Sequence, residues 1–180
     1  MKIKISLSSN TQVKIQKDFL KCLQAIVYKF MDLAPAHWLH DHGFKYEKRS
    51  FKLFTFSSLL EKGIYDKSNK QFIFPEQISF IISSPVDQII EQIAQNMAIS
   101  EKVQLDDNNL SISSIELIPD EIITTNKIRI QTLTPIEVHS TLLKFDGTKK
   151  TYYYSPAEKD FSDMINANLK KKWFALYYKF

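Results

Sequence analysis

Polar and apolar residues alternate from Lys2 to Ser8, with Ile3, Ile5 and Leu7 set between Lys2, Lys4, Ser6 and Ser8. A period of two puts the apolar set on one side of a pleated backbone, so the segment reads as a half-buried strand. From about residue 14 to 33 the spacing changes. Phe19, Leu23, Ile26, Val27, Phe30 and Met31 recur at helical intervals without an internal Gly or Pro, which predicts an amphipathic helix. Pro35 opens a second, short helix through His37 to His42, and Gly43 closes it in the left-handed conformation. Strands are expected at 51–56 and 77–82, paired as neighbours across a loop that holds Gly63 and Asn69. Ser84-Pro85-Val86-Asp87 offers a capping hydroxyl, a first-turn proline and an acid ahead of Ile89, Ile90, Ile93, Ala94 and Met97, and so marks another helix. Residues 102–105 and 110–117 flank Asp106-Asp107-Asn108-Asn109 as the arms of a hairpin. The resulting β-α-β-β-α-β order over residues 1–120 is that of a ferredoxin-like, or RRM-like, α+β domain.

Past the polar stretch 119–126 the pattern restarts. Strands are expected at 127–134, 136–145 and 151–154, with a turn at Asp146-Gly147. Ser155-Pro156-Ala157-Glu158 repeats the earlier cap grammar before Phe161, Met164, Ile165, Leu169 and Trp173, which predicts a further amphipathic helix. Residues 121–180 therefore read as the first part of a second ferredoxin-like domain, incomplete at its C-terminal side. Such a half-domain leaves apolar surface along its last helix and aromatic tail, which points to a homodimer or to poor solubility.

Composition narrows the class. Of 180 residues, 44% are hydrophobic and 24% charged, the usage of an ordinary globular protein, which excludes disordered, collagen-like and coiled-coil chains. No run approaches the roughly 20 apolar residues of a membrane span, and Met1 leads into alternation instead of a signal-peptide core, so no membrane partner and a cytoplasmic location are expected. The single cysteine, Cys22, excludes an internal disulfide and a cysteine zinc cage, and reads as a small core residue of the first helix. A formal net charge of +4 permits an anionic partner without requiring one.

Six segments in order carry a resemblance: Ala25-Ile26-Val27-Tyr28-Lys29, Leu39-His40-Asp41-His42-Gly43-Phe44, Phe51-Lys52-Leu53-Phe54-Thr55-Phe56-Ser57, Ser83-Ser84-Pro85, Thr132-Leu133-Thr134-Pro135-Ile136, and Phe161 through Asn168-Leu169. Their order and spacing resemble the CRISPR-associated repeat-processing endoribonucleases, the Cas six family, over nearly all of the chain. The resemblance implies two ferredoxin-like domains in tandem and cleavage of CRISPR repeat RNA in precursor transcripts to give guide RNAs, without metal or cofactor. The family's glycine-rich loop near the C-terminus has no counterpart, since Gly43, Gly63 and Gly147 are the only glycines. The rival readings are a non-catalytic repeat-RNA-binding module and a structural subunit of a CRISPR effector complex.

Metal-free RNA cleavage uses the ribose 2′-hydroxyl as nucleophile, so the protein must orient or deprotonate it, stabilise the crowded phosphorane and protonate the departing 5′-oxygen. His40 matches the family's Leu-His position and suits proton transfer near neutrality. Lys52 suits the growing charge on the phosphate oxygens, and Tyr28 takes the third position. Base and acid remain open between Tyr28 and His40. His37, His40 and His42 could suggest a metal, but with no cysteine or acidic pair beside them they are read as no metal site, and His139 is read as structural. For RNA capture the candidates are Lys45, Lys48 and Arg49, in a loop between His40 and Lys52, and Lys170, Lys171 and Lys172, which precede Trp173, Phe174, Tyr177 and Tyr178. Strand alternation would put Phe54 and Phe56 on the face of Lys52, either stacking bases or buried under the helices.

Overall fold

The computed structural model describes residues 1–178. In chain order the elements are β1 (Lys2–Ser8), β2 (Val13–Gln16), α1 (Phe19–Lys29), α2 (Leu33–Asp41), β3 (Phe44–Tyr46), β4 (Arg49–Phe51), β5 (Thr55–Phe56), β6 (Ile64–Asp66), β7 (Gln71–Phe74) and β8 (Gln77–Ser83). They continue with α3 (Asp87–Ile99), β9 (Lys102–Leu105), β10 (Asn108–Ile118), β11 (His139–Leu143), β12 (Lys149–Tyr153) and α4 (Lys159–Tyr177). Two compact units result: one of Met1–His42 with Lys52–Arg129, the other of Gly43–Phe51 with the chain from Ile130 onward.

The first unit is built on a five-stranded sheet in the order β5-β8-β1-β10-β9. Its inner strand β1 pairs antiparallel with β8 on one edge and β10 on the other, the arrangement of a ferredoxin-like sheet. Alternation in β1 buries Ile3, Ile5 and Leu7. α3 packs on β1 and β10 through Ile90, Ile93 and Met97, all fully buried, while α1 packs toward β9. Phe80 of β8 lies opposite Ile5 in the register, and neither has any exposed surface.

Five expectations give way here. Residues 14–16, read as the start of the first helix, belong to β2 instead. Val13 and Ile15 alternate with Lys14 and Gln16 and are fully buried in a second sheet, β2-β7-β6. Most of that sheet comes from the segment expected to be a loop, and Phe19, at the start of α1, packs edge-on against Phe74 and Phe72 at 5.7 and 6.0 Å. The strand expected over 51–56 is interrupted, because Phe51 ends β4, Lys52 to Phe54 lie outside any strand, and only Thr55 and Phe56 pair with β8. Ser84 is not the N-cap of α3; Val86 holds that position, and the Ser84 hydroxyl accepts the Val86 N–H at 3.0 Å. Cys22 is half-buried on the flank of α1, not in its core.

In the second unit β11 pairs with β12, and β3 pairs with β4. The strand expected at 127–134 does not form. Ile128, Ile130 and Leu133 stay exposed, since β propensity fixes no strand without a partner ladder. The β3–β4 hairpin groups with this unit because Tyr46 stacks on Phe174 of α4 at 5.2 Å and 18°, so the division runs through residues 43–51 and at 129/130 where 120 was expected. Among the described residues no helix is long and apolar enough to cross a membrane.

Phe80→Ala should lower the unfolding free energy by about 3–5 kcal/mol, because the ring leaves a cavity against Ile5 that the sheet cannot close. Urea denaturation followed by circular dichroism tests this, and a loss below about 1 kcal/mol would show that Phe80 is not a core anchor.

Candidate active site

α1 and α2 place two aromatic rings face to edge. Burial of Phe19, Leu23, Ile26 and Val27 turns that face of α1 inward and leaves Tyr28, near its C-terminal end, half-buried at the boundary. α2 buries Ala36 and Leu39 and so turns His40 outward in its last turn, with the side chain 72% exposed. The Tyr28 and His40 ring centroids lie 5.7 Å apart at 76°. Ala25 and Tyr28 of α1 and Leu33, Ala36, His40 and Asp41 of α2 line a cleft of about 470 Å³.

Lys52 completes the group. Its Nζ donates a hydrogen bond to the backbone carbonyl of His40, one of the carbonyls that the last turn of α2 cannot satisfy internally. A cation there also complements the negative end of the helix. Two residues on, the ring of Phe54 meets Tyr28 edge-on at 5.4 Å and 83°. Phe54 is therefore half-buried against the candidate tyrosine, neither free to stack a base on its own nor sealed under a helix. Tyr28, His40 and Lys52, separated in sequence, come together within the first unit.

The structure adds Asp41, to which sequence reasoning assigns no role. His40 Nδ1 lies 2.8 Å from Asp41 Oδ1. The hydrogen bond from His40, with the positive field of the imidazoles around it, holds the Asp41 carboxyl below its ordinary range, so it is ionised and can only accept. The Nδ1 proton must then belong to His40, which leaves Nε2 as the acceptor nitrogen of the neutral ring. Burial pushes the Tyr28 phenol above its ordinary value, so it stays protonated well past neutrality. Adjacent His and Asp at a helix end are the only sequence signal for this pairing.

The six basic residues expected to contact RNA all fall in the second unit. Lys45, Lys48 and Arg49 sit on the β3–β4 hairpin, not on an irregular loop, and all three are exposed. Lys170 and Lys172 are exposed on α4, and Lys171 is half-buried. That unit's sequence holds 11 Lys and Arg against 6 Asp and Glu, net +5, while the first holds 13 against 14, net −1. His139 Nδ1 lies 3.4 Å from Glu137 and its ring 5.5 Å from Tyr153. Among the described residues no three His, Cys, Asp or Glu side chains converge as a metal ion needs.

Comparisons with known proteins agree on one likeness. Residues 117–180 match the family described as CRISPR associated protein Cas6, C-terminal. The chain is 26% identical over 180 residues to the CRISPR-associated endoribonuclease Cas6 1 of Methanocaldococcus jannaschii, covering 98% of itself and 67% of that relative. A solved structure of a CRISPR associated protein Cas6 superposes with a TM-score of 0.72 at 26% identity, over 99% of this chain and 72% of that one. Over nearly its whole length the chain is similar to Cas6 proteins. A Cas6-related structure from Pyrococcus furiosus shares the fold at a TM-score of 0.74 and 20% identity, over 97% of this chain and 70% of that one. The C-terminal family match lies mostly on the second unit, whereas the Tyr28, His40 and Lys52 group stands on the first.

The His40–Asp41 pairing makes a spectroscopic prediction. At mildly alkaline pH, long-range ¹H–¹⁵N spectra should show neutral His40 with its proton on Nδ1, and Asp41→Ala should return it to the Nε2–H form that free imidazole prefers. An Nε2–H ring in the unaltered protein would mean that Asp41 does not set the tautomer.

Proposed function

We propose that this chain is a metal-independent endoribonuclease that cuts CRISPR repeat RNA in precursor transcripts to give guide RNAs. The observation that carries the reading is the convergence of Tyr28, His40 and Lys52 beside a cleft large enough for a ribose and its phosphate. His40, through Nε2, takes the proton of the 2′-hydroxyl as that oxygen attacks the adjacent phosphorus. Lys52 turns from the His40 carbonyl to the non-bridging oxygens, where negative charge grows in the transition state. The P–O5′ bond then breaks. Tyr28, kept as a phenol by burial, donates to the departing 5′-oxygen, since an alkoxide is a stronger base than a phenolate. The products are a 2′,3′-cyclic phosphate and a 5′-hydroxyl.

The second unit, with its net +5, supplies phosphate contacts through Lys45, Lys48, Arg49 and Lys170 to Lys172. A related fold is described as a RAMP protein binding different RNA substrates, at 17% identity and a TM-score of 0.68, over 98% of this chain and 71% of that one. A homodimer and a CRISPR effector complex are the protein assemblies that fit the exposed Leu169, Trp173 and Tyr177 of α4. Acting on transcripts, the protein would work in the cytoplasm.

Single-turnover cleavage of a labelled cognate repeat in excess EDTA should be slowed about 10²–10⁴-fold by His40→Ala and abolished by 2′-deoxy substitution at the cut nucleotide. Tight binding without cutting would leave a non-catalytic RNA-binding module. Because the phenol of Tyr28 is raised above its ordinary value, Tyr28 imposes no alkaline fall in the cleavage rate until above about pH 10. A tyrosine acting as base would instead make the rate climb through that range.

Neutralising Lys170, Lys171 and Lys172 together should weaken RNA binding and reduce the slope of log affinity against log salt by about 0.7–0.9 for each phosphate these lysines neutralise. Filter binding across a salt series measures it, and an unchanged slope would remove α4 from the RNA interface.

A further inference from the structure

We propose that Leu53 and Ser84 form a backbone latch that positions Lys52 and Phe54 against His40 and Tyr28. Its functional meaning rests on the reaction proposed above, but the geometry it asserts does not.

Leu53 has φ +52°, in the left-handed region that side chains other than Gly, Asn and Asp seldom adopt. Three other non-glycine residues share that conformation among those described, namely Glu47, Lys70 and Asp106. Each lies in the turn of a hairpin: β3–β4, β6–β7 and β9–β10. A hairpin turn demands positive φ. Leu53 lies in no hairpin, since β4 and β5 on either side of it belong to different sheets. Something outside the local chain must therefore hold it.

The Ser84 hydroxyl does so. It donates to the Leu53 carbonyl at 2.8 Å and accepts the Val86 N–H at 3.0 Å. The Ser84 N–H in turn donates to the Met1 carbonyl at 3.1 Å, and Ser84 is 2% exposed. A hydroxyl has one proton, and here it is committed to Leu53. The β5–β8 ladder begins just beyond, with Thr55 opposite Ser83, so both ends of the contact are anchored to the same pair of strands.

An extended residue at 53 would continue the strand and send Lys52 and Phe54 to one face. The left-handed turn separates them. Lys52 Nζ reaches the His40 carbonyl while the Phe54 ring meets Tyr28. Leu53 and Ser84 are positioning residues that act through their neighbours.

The test uses the full chain with ¹³C-labelled histidine and tyrosine rings, together with single-turnover cleavage and RNA affinity. Ser84→Ala and Leu53→Val should each move the His40 and Tyr28 ring signals and slow cleavage by about 10–10²-fold at unchanged RNA affinity, the scale of a small misplacement. Leu53→Asn, which accepts positive φ, should keep the wild-type ring signals and restore the cleavage that Leu53→Val loses. A side chain needed only for packing gives the opposite order, because valine is the closer apolar match. Ring signals unmoved by Ser84→Ala, or asparagine more disruptive than valine, overturn the latch. If the ring signals follow the predicted order but the unaltered chain leaves RNA uncut, the latch stands and the proposed reaction falls.

Discussion

The first unit depends on β1 being paired along both of its edges. Ile3, Ile5 and Leu7 are buried while Lys2, Lys4 and Ser6 are not, so a slip of one residue against β8 or β10 would carry two lysines into the core. That penalty fixes the register, and the register fixes where β8 ends. Lys2 lies opposite Ser83, Ser83 lies opposite Thr55, and Ser84 follows at the point where the chain before β5 passes. The hydrogen bond from Ser84 to Leu53, and with it the direction of Lys52, is thus a consequence of burial some distance away in the sheet. The same buried face receives α3, while α1 packs beside it toward β9 and leaves Tyr28 at the boundary where Phe54 and His40 reach it.

Charge is divided unequally between the two units. The net +5 of the second unit is the kind of field that draws a polyanion from a distance and weakens with salt. The first unit, at net −1, has little such field, and at its candidate site the Lys52 ammonium is directed by a backbone carbonyl. In the proposed reaction a surplus of lysines around His40 would gain little, because transition-state charge is stabilised by groups already fixed in direction, not by diffuse potential.

Periodicity is readable wherever an element can bury one face against neighbours close at hand. β1, α3 and the β9–β10 hairpin lie where alternation, helical spacing and Asp-Asn turn chemistry put them. β2 escapes such a reading because its alternation covers only residues 13–16 and its partner, β7, is distant in sequence, with Val13 opposite Phe74. The strand expected at 127–134 fails for the converse reason: its pattern is regular, but no described strand lies beside it. At the site, Tyr28, His40 and Lys52 are suggested by resemblance, whereas Asp41 and Leu53 are not. Asp41 matters only through a 2.8 Å contact, and Leu53 carries none of the Gly, Asn or Asp identity that announces positive φ.

The directions of two pKa shifts bear on the choice that sequence leaves open. The carboxyl of Asp41 is pulled down by its hydrogen bond to His40, and the phenol of Tyr28 is pushed up by burial. One is an acceptor and the other a donor across the whole neutral range. For Tyr28 to serve as the base, a nearby cation would have to lower its pKa enough to overcome burial. Lys52 is the candidate cation, but its ammonium is directed at the His40 carbonyl, and desolvation is what moves the phenol. A tyrosine shifted this way is suited to donating a proton to an alkoxide as it leaves, and that role requires only that it remain a phenol until the P–O5′ bond breaks.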